Sequence, residues 1–191
     1  KPQPMFVEGG SQFGIYAMRS AGIDPATGQE VYIKKNGHYT FDYNADERVE
    51  VGNTNPKLEG SIFTSLEYKG FSLNVSAAYR FGGDIYNTTV ANKVEYIDPH
   101  NNVDRRAFTE RWKEPGDLVR FLGIPEEVTD DNRYSERFVE RDNLLEITSN
   151  MLSYEWRAKW LKKLGLQRLN VGFGMSDIAR ISSVKLERGT E

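Results

Sequence analysis

Apolar and polar positions alternate strictly through LEGSIFTSLEYKGFSLNVSAAYRFGG, residues 58–83. Two alternating runs flank Lys69-Gly70, a pair suited to a two-residue hairpin turn with glycine available for positive φ. Leu58, Gly60, Ile62, Thr64, Leu66 and Tyr68 share one face of the first strand, and Phe71, Leu73, Val75, Ala77, Tyr79 and Phe81 share one face of the second. Glu59, Ser61, Ser65 and Glu67, then Ser72, Asn74, Ser76 and Arg80, take the opposite face; Phe63 and Ala78 are the exceptions. The turn sets the register. With Tyr68 opposite Phe71, Leu66 meets Leu73, Ser65 meets Asn74, Ile62 meets Ala77, Glu59 meets Arg80 as an ion pair, and Leu58 meets Phe81. Gly60 falls opposite Tyr79, whose ring can cover the bare glycine. A slip of one residue would send every apolar side chain to the wrong face.

These strands are long. Twelve residues at about 3.3 Å each span roughly 40 Å, and a tilt near 45° reduces the height to about 28 Å. Soluble strands are usually about five or six residues. A long strand with one greasy face and one Ser/Asn/Glu/Arg face fits the wall of a membrane barrel.

Further along, residues 143–156 are apolar at Leu144, Leu145, Ile147, Met151, Leu152 and Tyr154, with a less regular alternation that predicts a bulge. In residues 166–176, Leu169, Val171, Phe173 and Met175 alternate with Arg168, Asn170, Gly172, Gly174 and Ser176. Between these runs lies RAKWLKKLG, which with the preceding Trp156 sets Trp156, Trp160 and Leu164 at helical spacing and ends on Gly165, predicting one or two helical turns. The remaining connections, from about Arg19 to Lys57 and from Asp84 to Asp142, are long and polar. The first carries turn signals at residues 24–28 and 53–56; the second contains Pro99, Pro115 and Pro125 and a predicted helix around residues 104–113. Short links then fall at one end of the strands and long ones at the other, the asymmetry of outer-membrane barrels.

Composition narrows the alternatives. Only 38% of the 191 residues are hydrophobic, yet there are ten Tyr, ten Phe and three Trp. Mean hydropathy is −0.62, so apolar side chains are gathered on sheet faces rather than in a generous core. The net charge of −3 comes from intermixed acids and bases, which argues against a nucleic-acid surface. Cysteine is absent, and the apolar runs are far shorter than the roughly 20 residues of a spanning helix. No apolar signal segment opens the chain.

Candidate chemistry is sparse. His38 and His100 are the only histidines, and His100 with Asp98 and Asn101 matches no zinc spacing. Asp130-Asp131-Asn132 lacks the glycine and distal glutamate of a helix–loop–helix calcium site. No metal, cofactor or catalytic set is therefore expected. Tyr96, Trp112 and Tyr134 lie in the second long connection and could stack on a ligand, with loop packing as the plainer expectation. Tyr154, Trp156 and Trp160 suit an interfacial aromatic girdle.

Asn55-Pro56-Lys57 before the hairpin, residues 82–87 (GGDIYN) after it, and the Tyr68-Lys69-Gly70-Phe71 turn form an ordered series. Arg111-Trp112, Arg137-Phe138-Val139-Glu140 and residues 182–190 continue it. The series resembles the last barrel strands of SusC/RagA-like TonB-dependent outer-membrane transporters of Bacteroidota, from about Asn53 onward. The resemblance implies an all-β, antiparallel transmembrane barrel segment, part of a large 22-stranded plugged barrel with long extracellular loops and a little helix. It further implies active import of nutrient oligomers, glycans or peptides, with a SusD-like surface lipoprotein as partner, the TonB system as energy source, and outer-membrane lipid around the wall. Nothing in residues 1–191 matches that family's plug and TonB-contact segment or its closing aromatic strand, so the expectation is a C-terminal portion of the barrel. Two other readings compete: a soluble extracellular β-sandwich that binds carbohydrate, and a glycan-cleaving enzyme. In a sandwich, the hairpin's apolar face would be buried under a second sheet.

Overall fold

The computed structural model describes residues 5, 7–97, 104–123 and 133–184. His100 with its neighbours, the Asp130-Asp131-Asn132 run and residues 185–190 lie outside the described residues. Those described form two compact units, one within Lys1–Asn55 and Asp84–Arg141, the other within Pro56–Gly83 and Asp142–Lys185.

The second unit is built on a four-stranded sheet, ordered β6 (Leu58–Tyr68), β7 (Phe71–Tyr86), β8 (Val139–Trp156) and β9 (Leu169–Ser182). The β6–β7 ladder has the expected register throughout, from Tyr68↔Phe71 to Leu58↔Phe81. Lys69 and Gly70 turn with φ of 47° and 89°, the left-handed pair that matches the twist of flanking strands. Tyr79 lies over Gly60: a Cβ there would meet its hydroxyl oxygen at 2.7 Å. One contact differs. Glu59 stands opposite Arg80, but Arg80 Nη2 donates to Asp142 Oδ2 of β8 at 2.7 Å. Arg80 sits on an inner strand, and Asp142 brings it a carboxylate from the strand on its other side.

The irregularity expected in β8 falls between Ile147 and Ser149, with the extra residue on β9. Asp177 and Ile178 face the single Thr148 there, and Asp177 takes φ 52°. Strand β9 runs on to Ser182, past the expected end at residue 176. The bulge re-aims the strand, so an alternation read without it stops early. The β8–β9 link holds one helical turn, Lys159–Lys163, closed by Gly165 and anchored by the fully buried Leu161. Both short links lie at the same end of this sheet, because Glu155 N donates to the Gly70 carbonyl at 2.8 Å.

The other unit departs most from expectation. Residues 19–57 and 84–141 read as long connections, yet with the residues before them they form small sheets around a core. Strand β1 (Gly14–Ala17) pairs with β5 (Val49–Asn53), and β2 (Arg19–Ile23), β3 (Glu30–Ile33) and β4 (Tyr39–Thr40) make a three-stranded sheet. Ile15, Tyr86, Val90, Val94, Phe121 and Phe138 lie at the centre of the core. The helix expected over residues 104–113 is one turn, Arg106–Thr109. It stops because Arg111 is drawn into a bridge with Phe121, where Phe121 N donates to the Glu110 carbonyl and Trp112 N to the Phe121 carbonyl.

Candidate functional site

The four-stranded sheet presents a broad apolar face, and among the described residues no layer lies upon it. Leu58, Ile62, Leu66 and Tyr68 on β6 are 56–69% exposed, and on β9 Val171, Phe173 and Met175 are 49–66% exposed. Alternation puts these side chains on one side, and register joins them across the ladder: Leu152 faces Phe173, Tyr154 faces Val171, and Trp156 faces Leu169. A soluble protein does not leave so many large apolar side chains contiguous and bare without a partner for them. The face that a sandwich would bury is open. β6 spans about 36 Å, and a tilt near 45° gives a height of about 26 Å, matching the roughly 25 Å apolar band of a membrane barrel.

An aromatic cluster marks the end with the short links. The Phe71 and Tyr154 rings are 4.4 Å apart, Tyr154 and Trp156 meet edge-to-face at 4.4 Å, and Lys69 Nζ stands 5.1 Å from the Tyr68 ring centroid. Trp160 on the helical turn is half exposed. On the polar side of the same end, Glu67, Ser72, Ser153, Glu155 and Asn170 line an open depression. Met151, like Phe63, is an apolar side chain on that side, and its thioether occupies the space above Gly172 and Gly174.

The three aromatic candidates all belong to the other unit, half buried. Tyr96 and Tyr134 pack against the core. Burial pushes the Tyr96 hydroxyl's pKa up, and the hydroxyl donates to the Arg133 carbonyl at 3.3 Å. Tyr134 meets Tyr86 edge-to-face at 5.7 Å. Trp112 lies flat on Gly28 and donates from Nε1 to the Pro25 carbonyl at 2.9 Å. Gly28 has φ 70°, and a Cβ there would come within 2.4 Å of the indole. Tyr96 and Tyr134 thus gather near one core, while Trp112 clamps the β2–β3 loop.

A buried ion network in this unit escaped the sequence reading. Arg137 Nη2 donates to Glu30 Oε2 at 2.8 Å and to Glu95 Oε1 at 2.6 Å, and the Ser135 hydroxyl donates to the other Glu30 oxygen. Arg111 donates to the carbonyls of Val94, Glu95, Ala107 and Gly123. Burial pushes both carboxyl pKa values up. For Glu30, the Arg137 guanidinium and the hydroxyl of Ser135 outweigh burial and hold it below the usual carboxylate range. For Glu95, burial prevails over Arg137, and the Glu30 charge adds to the rise. Arg137, desolvated but held between two carboxylates, is pushed up. The two arginines carried a sequence signal, Arg137 through its Arg-Phe-Val-Glu motif and Arg111 through its Arg-Trp pair; Glu30 and Glu95 lie 107 and 42 residues away from Arg137. The network supports the unit from within. Among the described residues, no group of His, Asp and Glu could hold a metal ion.

An open antiparallel sheet of long strands, greasy on one side and polar on the other, has the form of a stretch of β-barrel wall, and the described strands do not close into a barrel. More particularly, the fold is similar to that of chains in RagAB. The RagAB peptide importer in its open-open state matches with a TM-score of 0.71 at 16% identity, over 88% of this chain and 19% of that one. The RagAB peptide transporter gives 0.73 at 18% identity, over 89% and 19%. The closed-closed state of the importer gives 0.71 at 18% identity, over 88% and 19%. The chain thus spans about a fifth of the length of these neighbours. No family model and no curated protein sequence matches it.

Proposed function

We propose that this chain is a C-terminal stretch of the barrel wall of an outer-membrane, TonB-dependent importer of nutrient oligomers. The observation that carries the reading is the bare apolar face on strands of membrane-spanning length, backed by a polar face. Water would penalise that surface by about 25 cal/mol for each Å² left exposed, whereas lipid hydrocarbon accepts it. The likeness to RagAB, together with the motifs that resemble the SusC/RagA-like family, supports transport and favours peptide oligomers over glycans. On the same support, a SusD-like surface lipoprotein is the partner, and Tyr96, Trp112 and Tyr134 belong to the outward-facing part, where substrate passes. No catalytic role is assigned to the chain.

The reading is tested by adding the urea-unfolded chain to lipid vesicles or to buffer. Folding into sheet and flotation with the vesicles are the expected results. A soluble, cooperatively folded monomer in plain buffer would overturn the proposal. The partner is tested separately, by purifying the native protein from membranes and identifying a co-purifying lipoprotein. Recovery of the transporter with no lipoprotein removes that part of the reading.

A further inference from the structure

The charge of the chain is unevenly placed. Residues 67–72 and 153–170, which make up the end of the sheet with the two short links, hold six basic side chains and two acidic ones. The rest of the chain holds 19 basic and 26 acidic. Arg157 is engaged by Glu155. Lys69, Lys159, Lys162, Lys163 and Arg168 are exposed, and among the described residues none has a carboxylate within ion-pair distance. Beside them stand apolar side chains that water does not favour: Trp160 at 51% exposure, Leu164 at 67% and Leu166 at 44%. Buried Leu161 pins the helical turn between the strands and so fixes these cations next to the aromatic cluster.

Unpaired cations immediately above an apolar and aromatic band suit one environment. Lysine and arginine stems lie along the greasy surface while their heads reach phosphate, and Trp and Tyr rings occupy the headgroup level. We propose that this end of the sheet binds anionic glycerophospholipid headgroups, with Lys159, Lys162, Lys163 and Arg168 as the phosphate-binding cations. The inference rests on the barrel-wall reading, which places short links on the inner side of the outer membrane, where the leaflet is glycerophospholipid. Each cation near such a surface contributes about 1 kcal/mol, so four of them select anionic over zwitterionic lipid while leaving exchange rapid.

The chain contains no cysteine, so a Leu164→Cys variant carries a single bimane label at this end. The labelled chain is reconstituted in vesicles of phosphatidylcholine and phosphatidylglycerol, with bromine on the acyl chains of one lipid at a time. Stronger quenching by the brominated phosphatidylglycerol is expected, lost in the Lys159→Gln/Lys162→Gln/Lys163→Gln variant, kept when the same lysines become arginine, and reduced by salt. Each lysine removed should lower the preference by up to about fivefold. Equal quenching by the two brominated lipids overturns the inference and leaves the barrel reading standing. Quenching by neither means that the apolar face never entered the bilayer and overturns both.

Discussion

The two units of this chain solve opposite problems. The first closes a core of Ile15, Tyr86, Val94, Phe121 and Phe138 around buried charges, and its strands are two to five residues long. In the second, strands of 11 to 18 residues leave their apolar side chains bare. A single chain of low mean hydropathy can do both because burial is local. One unit removes apolar surface from water by folding upon itself; the other leaves that task to the solvent it faces. Substitutions should therefore act by different rules in the two units.

The largest effect is expected in the ion network. Arg137→Met leaves Glu30 and Glu95 buried without a cation and should cost about 3–5 kcal/mol. Chemical unfolding followed by Trp112 fluorescence would register it, while lipid-dependent folding of the sheet should persist. Equal loss of both would erase the distinction between the units. Next comes the apolar face: Ile62→Arg should cost about 2–4 kcal/mol in lipid, if its position is near mid-bilayer, while Ser65→Arg on the polar face is tolerated. Equilibrium refolding into vesicles compares them, and equal penalties would break the assignment of faces. Gly28→Ala is a smaller perturbation, about 1–3 kcal/mol, because the left-handed backbone and the Trp112 ring both resist a Cβ. A red shift of indole emission would accompany it.

Smallest, and sharpest in sign, is the response to pH. Glu30 has a lowered folded-state pKa, so its stabilisation is present above the ordinary value of 4.5 and is lost as pH falls through the lowered one. Glu95 has a raised pKa, so its contribution is complete below 4.5 and is lost as pH rises through the raised value. Glu95→Gln removes this titrating group while keeping a hydrogen-bonding side chain of the same shape. It should therefore flatten the fall in stability between acid and neutral pH. A steeper fall in the Gln variant would reverse the roles of the two carboxyls.

The wall was legible in the sequence for a physical reason. A two-residue turn makes register a local property, so the pairing of Leu58 with Phe81 follows from Lys69-Gly70 alone. The position of the β9 bulge was not legible, because one extra residue is visible only against a partner strand. The compact unit was hidden more deeply. Its strands are too short to show a period, and they pair across long separations: Met18 bridges Ser135, and Ser135 bonds Glu30, 105 residues away. Arg80 shows the same limit inside the wall, since its partner Asp142 comes from a strand 62 residues distant. For the three aromatic candidates, packing was the plainer expectation beside ligand stacking; the particular partners, the core and Gly28, depend on tertiary structure.

The order in which the wall is built follows from its turns. Closing Lys69-Gly70 constrains almost no chain, whereas joining β7 to β8 must first bring together the ends of residues 87–138. By the logarithmic dependence on loop length, that second closure costs roughly 3 kcal/mol more. The β6–β7 and β8–β9 hairpins should therefore zip early and independently, within microseconds once their strands meet, and dock as ready-made pairs. Nascent wall would thus grow two strands at a time, with the intervening compact unit setting the pace at which successive pairs find each other.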